Sequence, residues 1–388
     1  MKILSVALLL DSAPRTWTSQ EDIHLRLCQL LRDRGARLTL IFADQIRAEL
    51  AQRFREAGAT IEVANYHQGS FRYARRLREI FARDEISLVH ICFFDYFSAV
   101  PWLARFSGAR RILYEQLNSG ELTATSWKKK LLQLRGALAT QPAAKVIAIS
   151  NFVKEQLGQA GIPRQKIVVR HLGVDTHRFF PDPEARSGWA TTFAIQPEEV
   201  IISTVSVLRP FKNPQTIVKA CGLLAERSVP FRLLVAGDGA MLSELQRLAA
   251  ELGVSERIHW LGYCADPASL LQGSDIFVLA STGEAFGLVL AEAMACAAPV
   301  VGSRSGAIPE IVEDGVTGLL ATPRDEVSFA DAIEKLARDQ ELRRKLAANS
   351  LARVREKFNL ETDAENTWRI YESVRYLHPW ERGHPARS

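Results

Sequence analysis

Apolar residues along this chain alternate between two periodicities. Short continuous runs such as ILSVALLL (3–10), ARLTLIFA (36–43), ISLVHICFF (86–94) and AKVIAIS (144–150) have the length and density of strands covered on both faces. Between them lie stretches with apolar residues at three- and four-residue spacing, among them EDIHLRLCQLLRDRG (21–35), IRAELAQRFREAG (46–58) and a basic segment near Trp127 to Ala139, which predict amphipathic helices. A strand–helix series of this kind implies a parallel sheet with helices on both faces.

The series stops at FFPDPEARSGWATTFAIQPEE (179–199), which is Pro-rich and less periodic and reads as an interdomain segment. A second series then runs through VIISTVSVL, NPQTIVKACGLLAERS, FRLLVAGDG, MLSELQRLAAELG, RIHWLGY, DIFVLAS, GLVLAEAMACA and PVVGS. From Asp325 to Leu377 the pattern is helical, and the tail HPWERGHPARS reads as frayed. The expected fold is therefore α/β, two tandem Rossmann-like domains with parallel sheets facing across a cleft. Residues 1–180 form the first domain and 181–365 the second, with a C-terminal helix at about 366–380 crossing back to the first.

Composition refines this picture in four places. No run of 18 apolar residues is present, so an integral membrane protein is not expected. The opening MKILSVALLLDSAPR mimics an export signal, but its apolar run fits a buried strand and its first residues carry little charge. The five cysteines lack any C-x-x-C pair or histidine cluster, and read as core thiols in a reducing cytoplasm with no zinc site. Residues 1–175 hold 26 Lys and Arg against 16 Asp and Glu, whereas 176–388 hold 23 against 28, so the net +5 conceals a strongly basic first half. That half is expected to face something anionic, such as a membrane surface or a phosphate-bearing acceptor.

Candidate chemistry lies at strand ends, where open parallel sheets bind ligands and helix N-termini offer free amides. In STGEAFGLVLAEAMA, Gly287 permits close backbone approach, and the amides from Phe286 and Gly287 through Leu288 and Val289 form a candidate phosphate cradle. Glu284 lies in the loop beside it, and Glu292 lies inside an otherwise apolar helix, where a carboxylate needs a specific partner. A pair of carboxylates flanking a phosphate suits the hydroxyls of a sugar nucleotide; the plain alternative is a helix cap and a solvated side chain. In VSVLRPFKNP, Arg209 and Lys212 place two cations at a strand end and can neutralise a diphosphate leaving group without a metal. Gly237 and Gly239 form a glycine turn after another strand. Ser150 and Asn151 end AKVIAIS, and His90 reads equally as a core or a functional histidine.

Together with GVDTHRF (173–179), LRPFK (208–212), VAGDG (235–239), HWLGY (259–263) and GAIPEIVEDGVTGLL (306–320), these residues resemble family 4 of the retaining glycosyltransferases, which have the GT-B architecture. The resemblance implies a nucleoside-diphosphate-sugar substrate, UDP favoured over GDP, and no cofactor or metal. It implies that Arg209 and Lys212 hold the diphosphate, Glu284 touches the donor sugar, Glu292 binds the ribose diol, and Tyr263 and Cys264 lie beside the base. Two departures stand out. The loop after the first strand reads DSAPRTWTSQED in place of a Gly-Gly pair, and Gln116 stands where many members have a histidine. An amide donates a hydrogen bond but shuttles no proton, so deprotonation of the acceptor hydroxyl falls to the departing phosphate.

The expected enzyme is thus a metal-independent, cytoplasmic glycosyltransferase, possible partners being a saccharide or lipid-linked acceptor and, through FRYARRLREIF and SWKKKLLQLRGALA, an anionic membrane. Rival readings are a phosphorylase or sugar-nucleotide epimerase of the same fold, a catalytically inactive ligand-binding relative, and a nucleic-acid-binding protein suggested by the sequence pI of about 9.0. Nucleic acid is not expected, because no recognition module accompanies the charge.

Overall fold

The computed structural model describes residues 3–92, 98–117 and 126–375, with side chains from 130 onward in the last segment. It divides into two compact units, one comprising the chain up to His171 together with the segment from Glu361, the other Leu172–Leu360.

The first unit holds seven parallel strands: β1 (Ser5–Leu10), β2 (Arg37–Phe42), β3 (Ala59–Val63), β4 (Leu88–Cys92), β5 (Ile112–Gln116), β6 (Lys145–Ala148) and β7 (Ile167–Val169). Their order is β3-β2-β1-β4-β5-β6-β7, with the direction of winding switching between β1 and β4. All six residues of β1 are buried, as a strand with helices on both sides requires. Phe93 and Phe94 of the predicted ISLVHICFF run lie outside the described residues. The Ser19–Asp33 helix begins with a capping box in which the Thr18 hydroxyl and the Glu21 carboxylate satisfy each other's backbone amides. DSAPRTWTSQED is thus a side-chain-rich helix entry in place of a glycine turn.

The second unit repeats the plan with β8 (Val200–Val205), β9 (Phe231–Ala236), β10 (Ile258–Gly262), β11 (Ile276–Leu279), β12 (Val300–Ser303) and β13 (Leu319–Ala321), in the order β10-β9-β8-β11-β12-β13. Its switch point lies between β8 and β11, the two strands whose ends carry Arg209/Lys212 and Glu284.

The expected boundaries need correction. The first unit ends at His171, not at 180, because GVDTHRF is laced to the second unit: Val174 N–H donates to Phe358 O at 2.8 Å and Leu360 N–H to Val174 O at 3.2 Å. Gly173 lies so close that a Cβ there would sit 2.6 Å from the Asn359 carbonyl oxygen. The stretch taken as an interdomain segment instead forms the Ala185–Thr192 helix, packed in the second unit through Trp189, which stacks on Phe193 and donates to Ser269 O. The second unit closes at Leu360, not 365, and the final helix starts there, running to Arg375; positions 376–380 and the tail lie outside the described residues. Trp368, Tyr371 and Val374 of this helix join the apolar core of the first unit.

Cys28, Cys92, Cys221 and Cys296 are buried, Cys264 is half-buried, and none forms a disulfide. Burial pushes the Cys28 and Cys221 thiols up to about 12, which keeps them protonated and inert.

Candidate functional site

In the second unit the loops after β8 and β11 meet in a contact that the sequence does not predict. Lys212 Nζ lies 2.7 Å from Glu284 Oε2, an ion pair whose two side chains are each about one-sixth exposed. The loop carrying the cation is fixed by Asn213, which takes the left-handed conformation (φ 52°, ψ 44°) and donates through Nδ2 to Ala280 O, just past β11. Asparagine tolerates that conformation better than most residues. Thr282 N–H then donates to Phe211 O at 2.9 Å, so the two loops share a backbone bond as well as the ion pair. Arg209 sits exposed at the mouth of this turn.

Behind Glu284 a third loop acts as a brace. Ala307 N–H donates to Glu284 O and the Ser305 hydroxyl to Thr282 O. Gly306 (φ 60°) comes so close that a Cβ would lie 2.4 Å from the Glu284 carbonyl oxygen. Gly287 (φ 97°) caps the Leu288–Ala295 helix; Leu290 N–H donates to Gly287 O at 2.9 Å, and the Leu288 and Val289 amides ahead of it have no acceptor within the helix. Glu292 lies one turn in, buried with 6% exposure among Leu290, Ala291, Ala293 and Met294. Asn213 and Gly306 lie in quoted motifs without a role assigned to them, and Ser305 lies outside any; their bracing role is geometric and appears only once the strands are paired.

Other predicted positions divide. Gly237 (φ 143°) and Gly239 (φ 158°) stand against protein backbone: Cβ atoms there would meet Ser206 O at 1.8 Å and Leu208 O at 2.4 Å, so these glycines allow two loops to touch. The Phe286 side chain packs into the core, 2% exposed and edge-on to Phe358 at 5.9 Å, which leaves only its backbone for the predicted cradle. Leu288 and Val289 remain half-buried at the helix start. Tyr263 is 68% exposed, and the Cys264 thiol donates locally to Asp266 O at 3.2 Å.

Four of the predicted residues, Gln116, Ser150, Asn151 and His90, belong to the first unit. Gln116 ends β5 and is buried, and Ser150 spends its hydroxyl capping the next helix, accepting from Val153 N–H at 3.1 Å. His90 resolves to the core reading. Its Nδ1 lies 2.8 Å from the Tyr371 hydroxyl and its Nε2 3.0 Å from Glu115 Oε2, off the line of a good hydrogen bond. Glu115 also receives the Cys92 thiol and the Arg170 guanidinium, which in turn pairs with Asp363 and donates to Thr367. Burial alone would raise the Glu115 carboxyl, but Arg170 and His90 overcome it and hold it well below the usual range. His90, Cys92 and Glu115 form the one grouping of metal-type donors among the described residues, and Arg170 already occupies the other oxygen of that carboxylate.

A "Glycosyltransferase Family 4" model matches residues 23–178, and a "Glycosyl transferases group 1" model matches 189–353. N-acetyl-alpha-D-glucosaminyl L-malate synthase of Bacillus anthracis is 35% identical over 182 residues, covering 47% of this chain and 48% of that protein, so the chain spans about half the length of this relative. An uncharacterized glycosyltransferase of Methanocaldococcus jannaschii is 27% identical over 293 residues, covering 72% of this chain and 75% of its own. Among solved structures, Anabaena HepE in complex with UDP superposes with a TM-score of 0.81 at 21% identity, covering 96% of this chain and 100% of that one, which establishes a shared fold. With its two halves matched in order by two glycosyltransferase models, this chain is a glycosyltransferase of the family 4 type.

Proposed function

We propose that the chain is a retaining glycosyltransferase that moves a sugar from a nucleoside diphosphate, UDP favoured over GDP, to a hydroxyl on a saccharide or lipid-linked acceptor, in cell-surface polysaccharide or glycolipid synthesis. The observation that carries this reading is the Lys212–Glu284 pair beside the Gly287 helix start, with Glu292 buried one turn further on. Lys212, Arg209 and the first-turn amides meet the charge of the diphosphate as the glycosidic bond breaks. Glu284 and Glu292 accept hydrogen bonds from sugar and ribose hydroxyls on either side of it. Side chains and amides thus do the work of a divalent cation, and activity is expected to survive chelation with EDTA. Gln116 cannot take up a proton, so the leaving phosphate accepts that of the acceptor hydroxyl. HepE was solved with UDP, which supports the preference for that base.

No helix among the described residues is long and apolar enough to cross a membrane. Peripheral attachment is supported by Leu131, Leu134 and Leu138, each more than half exposed at helical spacing on the Ser126–Ala139 helix, and by Phe71, 82% exposed on the arginine-rich Ser70–Arg83 helix. Trp127, Lys128 and Lys129 lie where no side chains are described.

A thermal-shift panel of UDP, GDP, ADP and dTDP sugars tests the reading: a selective rise in melting temperature with UDP sugars is expected, lost in Glu292→Gln and Lys212→Ala. Full sugar transfer in both variants would overturn it.

A further inference from the structure

The donor reading leaves one large feature of the first unit unused. A pocket of about 820 Å³ opens where the strands begin, bounded by Leu4 ahead of β1, Arg37 at the start of β2, Leu88 at the start of β4 and Arg111 just before β5. Rossmann-like sheets place their ligands at the opposite, carboxyl ends of the strands, so the family's usual site does not account for it.

The lining is unbalanced in charge. Five arginines, Arg37, Arg78, Arg110, Arg111 and Arg375, face one carboxylate, Glu85, and that is engaged by Arg37 at 3.0 Å. Among the described residues Arg78, Arg110 and Arg111 have no carboxylate partner. Arg78 reaches only the Phe106 carbonyl, at 3.1 Å, and the Nε of Arg111 is buried without an acceptor. The hydroxyls in the wall are already committed, Ser87 to Ser5 O and Ser107 to Ala74 O and Leu103 O. Guanidinium groups are therefore the donors on offer, and their planar forks suit phosphate oxygens. Phe81, Ile86 and Leu4 add an apolar floor, and the volume lies in the range of small-molecule sites, far above what inorganic phosphate alone would fill. We propose that this pocket binds a phosphate- or diphosphate-bearing ligand, separate from the nucleotide sugar.

Full-length protein carrying Lys212→Ala, which disables the diphosphate side of the second unit, is titrated with inorganic pyrophosphate by calorimetry. One saturable site is expected in that background, weakened at least about tenfold on adding Arg78→Ala and Arg110→Ala, whose side chains are exposed and whose loss leaves the fold intact by circular dichroism. Equal pyrophosphate affinity with and without the two arginines overturns the proposal, as does binding abolished by Lys212→Ala alone. Co-flotation with phosphatidylcholine vesicles that depends on added phosphatidic acid, and is lost with the two arginines, assigns the phosphate to a lipid headgroup; pyrophosphate binding without flotation assigns it to a soluble ester. The UDP-sugar thermal shift stays unchanged in Arg78→Ala/Arg110→Ala, so failure of either reading leaves the other standing.

Discussion

Both units carry charged residues at or just past the carboxyl ends of parallel strands, yet the two sets do opposite things. In the first, Glu115, Arg170 and Asp363 are each at most 4% exposed, and the last helix closes on Arg170 through Asp363 and Thr367. In the second, Lys212 and Glu284 are paired but still reach solvent, and Arg209 is open. The same topology therefore supplies a buried lock in one unit and a solvent-reaching charged pair in the other. What separates them is whether a helix covers the strand ends, not the kind of residues they carry.

The sharpest way to break this comparison is to remove the centre of the lock. Arg170→Ala leaves Glu115 and Asp363 buried without their cation and is expected to cost about 3–5 kcal/mol in urea unfolding, while the UDP-sugar thermal shift of the second unit survives. A loss below about 1 kcal/mol would mean the network is dispensable. Lys212→Ala is expected to act the other way round, with stability nearly unchanged and kcat/KM for sugar transfer down by about 100- to 1000-fold.

Acid separates the units further. Burial lowers the His24 imidazole to about 4. An unfolded imidazole titrates near 6.5, so as pH falls the unfolded chain takes up the proton first. Stability is then lost progressively between about pH 6.5 and 4, by up to about 3 kcal/mol, and this group contributes no slope above that window. Urea unfolding of the wild type and His24→Gln across this range checks the sign, the slope being flatter in the variant. Smallest is Gly306→Ala, which presses a methyl group on the Glu284 backbone in a left-handed conformation. It is expected to cost about 1–3 kcal/mol and to lower turnover by displacing Glu284, with the melting temperature and the KM for donor as readouts.

Much of the second unit was legible because strand, glycine turn and helix follow one another within a few residues, so Gly287, Glu284 and Glu292 could be placed from local pattern alone. The Lys212–Glu284 pair joins residues 72 positions apart and depends on β8 and β11 being neighbours, which periodicity does not reveal. Arg170 was overlooked for a similar reason: in KIVVRHLGVD nothing marks it as buried, and its partners come from β5 and from the end of the chain. The boundary at 180 failed because prolines suggested a linker, whereas backbone bonds from Val174 to Phe358 and Leu360 decide where the chain changes unit.

The helix from Leu360 to Arg375 also sets an order of assembly. Leu172–Leu360 is one unbroken stretch and can fold as it leaves the ribosome, but the first unit lacks Trp368, Tyr371 and Asp363 until the last segment is made. At about 5–20 residues per second the earlier-made half waits roughly 10–40 s, with Arg170 still lacking its Asp363 partner and the core lacking the last helix. The unit synthesised first is therefore the last to be completed, and that interval is when the nascent chain is most exposed to aggregation.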